Sequence, residues 1–288
     1  MTGTPDGLPV LSEVIRAHGL SARKNLGQNF ILDLNLTRRI ARAGGSLEGI
    51  TVVEIGAGPG GLTRALLLEG AARVIAVERD ERCFQALEQI AAHYPGRVEI
   101  VKADATKIDL SKYAAAPARI IANLPYGAST PLLAHWLSAE PWPPWYDKMV
   151  LMFQREVASR ITAVPGNKTY GRLSVLAQWR TTPRIVLTLP PRAFTPAPKV
   201  SSSLVEFVPL ANPEPAGSTE ALQKIVAAAF GQRRKMLRQS LKTLVQDPEF
   251  LLDSANIEPT LRAEVLTVNE FCRLSRLWTE YNTDRTEA

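Results

Sequence analysis

Short apolar runs alternate with segments of helical spacing through the first half of the chain. Runs rich in β-branched residues, each closed by turn signals, predict strands over residues 51–58, 72–78, 97–104 and 118–123. Between the first three of these runs, residues 61–70 and 81–94 repeat their apolar positions at helical intervals. Strands and helices that alternate in this way predict a mostly parallel sheet of right-handed βαβ units.

The second half adds three strand candidates. Residues 147–154 predict a fifth strand, and the runs 184–190 and 202–210 predict a late pair that could join the sheet antiparallel. Every later segment has helical spacing.

A change of composition predicts the domain boundary. Residues 209–220, PLANPEPAGSTE, are rich in Pro, Gly and small polar residues, which is typical of a linker. We therefore expect an α/β domain over residues 1–210 with a helical N-terminal extension, a linker at 211–218, and a small all-helical domain over 219–288.

Composition narrows the class of protein. The chain has 288 residues, and a hydrophobic content of 45% supports a sizeable core. No apolar stretch is long enough to cross a bilayer, and the first residues lack the pattern of a secretory signal. Cys83, Cys272 and three scattered histidines have no metal-ligand spacing. We expect a cytoplasmic protein without a metal, and the net charge of +6 is compatible with a polyanionic partner.

The first chemical motif is VVEIGAGPGG at residues 52–61. A strand that runs into a glycine-rich turn and then a helix brings backbone close to a ligand, and Gly56 and Gly58 begin that turn. The spacing also fits dinucleotide enzymes, so the glycines alone do not name the cofactor. Glu54 precedes them, and a carboxylate there suits a ligand with an ammonium and a sulfonium better than a pyrophosphate.

Two more carboxylates end the next two predicted strands. Glu78 could hold a ribose diol, and Asp104 could accept from an exocyclic adenine amine. Either residue alone could be a solvated turn residue or a helix cap. Three acids at successive carboxyl ends of parallel strands favour S-adenosylmethionine over NAD as cofactor.

The fourth strand ends in Asn123-Leu124-Pro125-Tyr126. An exocyclic base amine is a poor nucleophile, and the Asn123 side-chain oxygen with the Leu124 carbonyl could accept its hydrogens. Pro125 removes a backbone donor, and Tyr126 offers a face on which a base can stack. The alternative is a buried asparagine that caps a helix beginning near Ser129, with Tyr126 in the core.

Taken together, these motifs resemble the rRNA adenine N6,N6-dimethyltransferase family, especially its bacterial small-subunit branch. The resemblance runs through KNLGQNFILD, VVEIGAGPGGLT, ANLPY, FQREVA, PPRAFTPAPKVSSS and FGQRRKMLRQSL, and so covers nearly the whole chain. It implies a Rossmann-like class I S-adenosylmethionine-dependent methyltransferase domain and a small helical domain. We expect the protein to be a monomer. It also implies transfer of two methyl groups to each of two adjacent adenosines near the 3′ end of 16S rRNA in the (pre-)30S subunit.

The resemblance also assigns roles to residues at the donor. Asn29 and Ile31 would border its methionine end together with Gly56, while Glu78 would hold the ribose and Asp104 the adenine.

At the target base, Asn123 would touch both donor and target amine. Phe194 would be the second stacking ring, opposite Tyr126, although it could instead be hydrophobic packing beside a proline-rich turn.

A basic cluster occupies residues 231–242. Its cations are Arg233, Arg234, Lys235, Arg238 and Lys242, and the segment contains no acid. On one helix Arg234, Arg238 and Lys242 would share a face, which could contact RNA phosphates or could be a solvated surface. Arg23 and Lys24 form a smaller basic patch next to the donor motif.

Two other functions stay open at this point. The protein could instead methylate large-subunit rRNA. The enzymes that do so look similar as far as the Asn-Leu-Pro-Tyr motif but generally differ from this chain in the C-terminal domain. A ribosome-assembly or RNA-binding factor could have kept the fold with little catalysis, but the intact acids and the Asn123–Tyr126 turn argue against a purely structural role.

Overall fold

The computed structural model describes residues 4–23 and 27–286. It divides into two compact units. The first comprises the chain up to Ala158 together with Arg184–Pro209, and the second comprises Ser159–Pro183 together with the chain from Leu210 onward.

Seven strands form one sheet, in the order β3-β2-β1-β4-β5-β7-β6. They are β1 (Thr51–Ile55), β2 (Arg73–Glu78), β3 (Val98–Lys102), β4 (Ala118–Ala122), β5 (Lys148–Gln154), β6 (Thr181–Leu189) and β7 (Ser202–Pro209). The first five pair in parallel, and β7 pairs antiparallel with β5. The predicted mostly parallel sheet with a late antiparallel strand is confirmed.

Among the described residues, two helices precede β1, three follow β1, β2 and β4, and one leads from β5 into the second unit. They are α1 (Leu11–Ala17), α2 (Leu34–Ala43), α3 (Gly61–Leu68), α4 (Phe84–His93), α5 (Tyr126–Leu137) and α6 (Arg155–Ile161). Val52 and Val53 of β1 point to opposite faces of the sheet, and both are fully buried. Because the central strands are covered on both faces, a ligand can reach their polar residues only at the carboxyl edge of the sheet.

The second unit is helical. Its helices are α7 (Arg172–Arg180), α8 (Thr219–Gly231), α9 (Leu237–Ser240), α10 (Pro248–Ser254) and α11 (Val268–Thr286). Helix α7 packs against α8 and α11, and the Trp179 indole donates to the carbonyl of Glu214 at 2.8 Å. Residues 159–183 therefore belong to the helical unit by their contacts, and this division differs from the predicted single boundary at 211–218.

The basic segment 231–242 is not one helix, so the helical spacing from which a shared face of Arg234, Arg238 and Lys242 was predicted is absent. Helix α8 ends at Gly231, a turn follows, and α9 begins only at Leu237. Leu237 is fully buried, and its amide donates to the carbonyl of Leu261 at 2.7 Å. Burial of the apolar side chain and capping of the new helix end thus outweigh continuation of α8.

Candidate active site

A cavity of about 640 Å³ opens at the carboxyl edge of β1 to β4. Its walls contain all the residues predicted from the sequence to bind the donor or the target base: Asn29, Ile31, Glu54, Gly56, Gly58, Glu78, Asp104, Asn123, Leu124, Pro125, Tyr126 and Phe194. A volume of this size is that of a site for a cofactor-sized ligand.

The glycine turn after β1 forms one wall of the cavity. Gly58 has a φ of +55°, and its amide donates to Glu78 Oε2 at 2.7 Å. Gly60, which the sequence motif did not emphasise, has a φ of +87°, and a Cβ there would lie 2.1 Å from Ile90 Cδ1. Gly58 therefore ties the turn to β2, whereas Gly60 permits close packing of α3 against α4.

Glu54 lies at the base of the cavity and is 1% exposed. Thr63 Oγ1, on α3, donates a hydrogen bond of 2.5 Å to Glu54 Oε2. Burial raises the pKa of Glu54 to about 8, and the charge of Glu78 adds to this shift. At neutral pH the carboxyl is therefore mostly protonated, and a cationic ligand beside it would favour ionisation.

Glu78 is held by three backbone amides. Gly58 donates to Oε2, while Arg79 and Asp80 donate to Oε1 at 2.8 and 2.7 Å. A carboxylate has about four acceptor positions, so roughly one remains for a ligand hydroxyl. Holding both hydroxyls of a diol would require one backbone bond to give way.

Asp104 is fixed at the adjacent strand end. Thr106 donates to Asp104 Oδ1 from its amide at 3.0 Å and from its hydroxyl at 2.7 Å, and Arg79 lies 3.2 Å from Oδ2. The Thr106 bonds, with the Arg79 guanidinium, lower the pKa of Asp104. The residue is therefore an ionised hydrogen-bond acceptor at neutral pH.

Asn123 does not cap the helix that follows it. Its Nδ2 donates to the backbone carbonyl of Asn29 at 3.2 Å, and Oδ1 receives no hydrogen bond from the described part of the chain. Helix α5 begins at Tyr126, and the amide of Ser129 bonds the Pro125 carbonyl at 3.1 Å. The helix-cap alternative is wrong, because the amide group is used to bridge to the N-terminal segment instead.

The two predicted stacking rings differ in burial. Tyr126 is half-buried, and its hydroxyl lies 2.6 Å from Ser202 Oγ at the start of β7, which anchors the ring. Phe194 is 4% exposed and packs in the hydrophobic core while also lining the cavity. This conformation of Phe194 corresponds to the packing alternative, and its stacking role stays a prediction.

Comparison with known proteins identifies the family. The model of the ribosomal RNA adenine dimethylase family matches residues 19–280. The chain belongs to the ribosomal RNA adenine dimethylase family. It is 59% identical over 284 residues to ribosomal RNA small subunit methyltransferase A of Rhodopseudomonas palustris, covering 98% of this chain and 99% of that protein. It is 58% identical over 276 residues to the protein of the same name from Xanthobacter autotrophicus, covering 96% of each.

Solved structures support the fold. A dimethyladenosine transferase from Plasmodium falciparum superposes with a TM-score of 0.66 at 23% identity, over 98% of each chain. The 23S rRNA methyltransferase ErmE superposes with a TM-score of 0.64 at 24% identity, over 87% of this chain and 100% of that one. The sequence resemblance and the class I methyltransferase fold are confirmed. As a member of this family, the chain is an S-adenosylmethionine-dependent rRNA adenine methyltransferase.

The cavity fits S-adenosylmethionine. Its three strand-end acids, Glu54, Glu78 and Asp104, can each accept a hydrogen bond, and the ligand has an ammonium, ribose hydroxyls and an adenine amine to donate them. Among the described residues, no cluster of three or more His, Cys, Asp or Glu side chains could hold a metal, and no helix has the length and hydropathy to span a bilayer.

The predicted basic residues differ in availability. Arg233 is committed to the helical unit: it pairs with Glu264 at 2.9 Å and donates to the carbonyls of Tyr170 and Lys168 at 2.8 and 2.6 Å. Arg238 lies 3.4 Å from Glu249. Within the described residues, the structure shows no ion pair for the exposed Arg234, Lys235 and Lys242.

At the smaller patch, Arg23 is exposed and its amide donates to Gln28 Oε1 at 3.0 Å, while Lys24 lies outside the described residues. Sequence reasoning missed Thr63, Arg79, Gln28 and Ser202. The signal available for Thr63 was a polar residue at an inward position of an apolar helix; the other three come together only in the fold.

Proposed function

We propose that this protein dimethylates N6 of two adjacent adenosines near the 3′ end of 16S rRNA. Its substrate would be the (pre-)30S subunit, on which it acts in the cytoplasm as a monomer late in subunit biogenesis. The near-full-length identity to relatives named small subunit methyltransferase A supports the choice of subunit. The observation that carries the chemistry is the Asn123 amide, whose Nδ2 is bound to Asn29 while its Oδ1 stays available beside the cavity.

The donor would be held by the strand-end acids. Glu54 would face the ammonium of the methionine end, which Asn29, Ile31 and Gly56 border. S-adenosylmethionine supplies an electrophilic methyl group when it is bound.

The other end of the donor would meet the next two strand ends. Glu78 would accept from a ribose hydroxyl, using the acceptor position that its three backbone bonds leave. Asp104, already oriented by Thr106, would accept from the adenine amine.

The target amine would be activated by acceptors rather than by a base. Asn123 Oδ1 and the Leu124 carbonyl would accept hydrogen bonds from the target amine. These bonds would turn the nitrogen lone pair out of conjugation with the ring. Pro125 has no amide hydrogen, so this turn presents acceptors to the amine. Neither acceptor group takes up a proton, so the proton released from nitrogen passes to water.

The target base would stack on Tyr126 after leaving its helix. The 2.6 Å contact between the Tyr126 hydroxyl and Ser202 fixes the ring before the base arrives, which lowers the entropy lost on binding. Phe194 would close on the other face only if it turned out of the core.

RNA phosphates would be held by exposed cations of the helical unit. Arg234, Lys235 and Lys242 are exposed and suit this role, with Arg238 at the margin, whereas Arg233 serves the helical unit. Arg23 and Lys24 would contact the backbone near the cavity mouth.

The test is methyl transfer from labelled donor to undermethylated 30S and 50S subunits. We expect label in 30S rRNA only, and loss of label for Asn123→Ala with retained 30S binding in a pelleting assay. Label in 50S rRNA would favour the large-subunit alternative. Binding to 30S without any label from the parent protein would favour an assembly factor.

A further inference from the structure

A buried carboxylate holds the N-terminal segment against the end of β2. Asp80 pairs with Arg82 through two bonds, Nε to Oδ1 at 2.9 Å and Nη2 to Oδ2 at 2.6 Å. Gln28 Nε2 donates to the same Oδ2 at 2.8 Å. The Asp80–Arg82–Gln28 network therefore joins two segments 52 positions apart in sequence.

This network is charged and well satisfied. Asp80 is 7% exposed, and the bonds from Arg82 and then Gln28 lower its pKa to about 2. Gln28 also accepts, through Oε1, from the amide of Arg23 at 3.0 Å and from Arg82 Nη2 at 3.4 Å. Hydrogen bonds to a buried ionised group are among the stronger ones in proteins, so Gln28 has a fixed position.

From Gln28 the network reaches both sides of the active site. The Asp80 amide donates to Glu78 Oε1 at 2.7 Å, on the donor side. The residue after Gln28 is Asn29, whose carbonyl accepts from Asn123 Nδ2, on the target side. Gly27, the residue before Gln28, also packs against the target side, since a Cβ on Gly27 would lie 3.3 Å from Pro125 Cβ.

We propose that Gln28, anchored by Asp80, is a positioning residue that orients the Asn123 amide for the target amine. The Asn29 carbonyl shares its peptide unit with the Phe30 amide, which donates to the Thr195 carbonyl at 2.9 Å, and the Gln28 anchor fixes Asn29 from the other side. The carbonyl holds Asn123 Nδ2 in one orientation when both sides are fixed. Without that anchor, Nδ2 and Oδ1 sample other orientations, and fewer molecules present the acceptor correctly. This inference rests on the proposed role of Asn123.

The donor side should not depend on Gln28 in the same way. Phe30 and Thr195 exchange two backbone hydrogen bonds, of 2.9 and 2.7 Å, which hold the segment beyond Asn29 independently. Ile31, 5% exposed, lies after this bridge. Asn29 borders only the methionine end of the donor, so loss of the Gln28 anchor should slow methyl transfer far more than it weakens donor binding.

The experiment compares Gln28→Leu with the parent protein. We expect the single-turnover rate on 30S subunits to fall roughly ten- to a hundredfold, as for the loss of a charge-assisted hydrogen bond that positions a catalytic group. The Kd for S-adenosylhomocysteine, measured by calorimetry, should change less than about threefold. Glu88→Gln, which removes an exposed ion pair with Lys102, is the control and should change neither quantity.

A swapped pair separates positioning from general damage. Asp80→Asn and Gln28→Glu each disturb the network, whereas the double variant restores one carboxylate, one amide and the charge beside Arg82. The double variant should recover most of the rate. A parental rate in Gln28→Leu, a parallel loss of S-adenosylhomocysteine affinity, or no recovery in the double variant would overturn the proposal.

A spectroscopic measurement keeps this test independent of the substrate. The side-chain amide resonances of Asn123, assigned by their loss in Asn123→Asp, should shift in Gln28→Leu and return in the swapped pair. Resonances that stay unchanged in Gln28→Leu would also overturn the proposal. If the parent protein transferred no methyl group while these resonances behaved as expected, the proposed function would fail and the positioning network would stand.

Discussion

Replacing Glu54 by glutamine should change how the stability of the protein depends on pH. Burial raises the pKa of the folded-state carboxyl from about 4.5 to about 8, so the folded protein binds a proton in this range that the unfolded chain has lost. The free energy of unfolding therefore falls as pH rises through this window and levels off above it. The difference between 4.5 and about 8 corresponds to at most about 5 kcal/mol.

The glutamine side chain in the Glu54→Gln variant would keep an acceptor for Thr63 and would carry no charge at any pH. We expect Glu54→Gln and the parent to have similar stability near about pH 4.5, and the variant to become more stable by several kcal/mol above about pH 8. Urea unfolding followed by circular dichroism at a series of pH values, without donor, measures this difference. Parallel stability profiles for the two proteins would refute the reasoning, because Glu54 would then not be buried in a form that resists ionisation.

Tyr126→Ala should slow turnover by the equivalent of about 1–3 kcal/mol with little change in donor Kd, and Tyr126→Phe should stay near the parent; equal rates for the alanine variant and the parent would exclude stacking. Asp104→Ala should weaken donor binding about ten- to a hundredfold in calorimetry with the circular dichroism spectrum unchanged, and unaltered affinity would remove Asp104 from the donor site. Arg234→Glu combined with Lys235→Glu should weaken 30S binding and flatten its logarithmic salt slope by about 0.7–0.9 per lost phosphate contact, whereas a solvated surface predicts no change in slope. Gly60→Ala should lower the urea midpoint markedly, because the residue has a φ of +87° and its new Cβ would lie 2.1 Å from Ile90 Cδ1; a parental midpoint would contradict this packing.

Much of the fold was predictable because its signals are local. The runs that became β1, β2, β4 and β5 are largely buried on both faces, so each is a mostly apolar run bounded by turn residues. The carboxyl ends of parallel strands meet at one edge, and this rule alone brings Glu54, Glu78 and Asp104 into one cavity.

The errors arose where distant contacts decide the structure. The run of cations at 231–242 has helical spacing, yet Leu237 is buried and its amide is capped by Leu261, which ends one helix and begins another. Arg233 looked like its neighbours in sequence, but carbonyls of residues 168 and 170 surround its guanidinium. No local pattern encodes either contact.

The same holds for the partners of the turn at residues 123–126. The position of Asn123 in the cavity wall could be predicted from its strand end, but its bond to the Asn29 carbonyl spans 94 positions in sequence. The contact between Tyr126 and Ser202 spans 76 positions and depends on β7 lying beside β5. Both partners come from distant parts of the sequence, so only the tertiary structure reveals them.

Mass spectrometry of the rRNA product tests the central claim most directly. Undermethylated 30S subunits are incubated with the parent protein and isotopically labelled S-adenosylmethionine, and the rRNA is digested to oligonucleotides and nucleosides. The account predicts N6,N6-dimethyladenosine carrying two labelled methyl groups, at two adjacent positions in an oligonucleotide near the 3′ end of 16S rRNA. Label confined to another base, to another region of the rRNA, or to no nucleoside at all would contradict it.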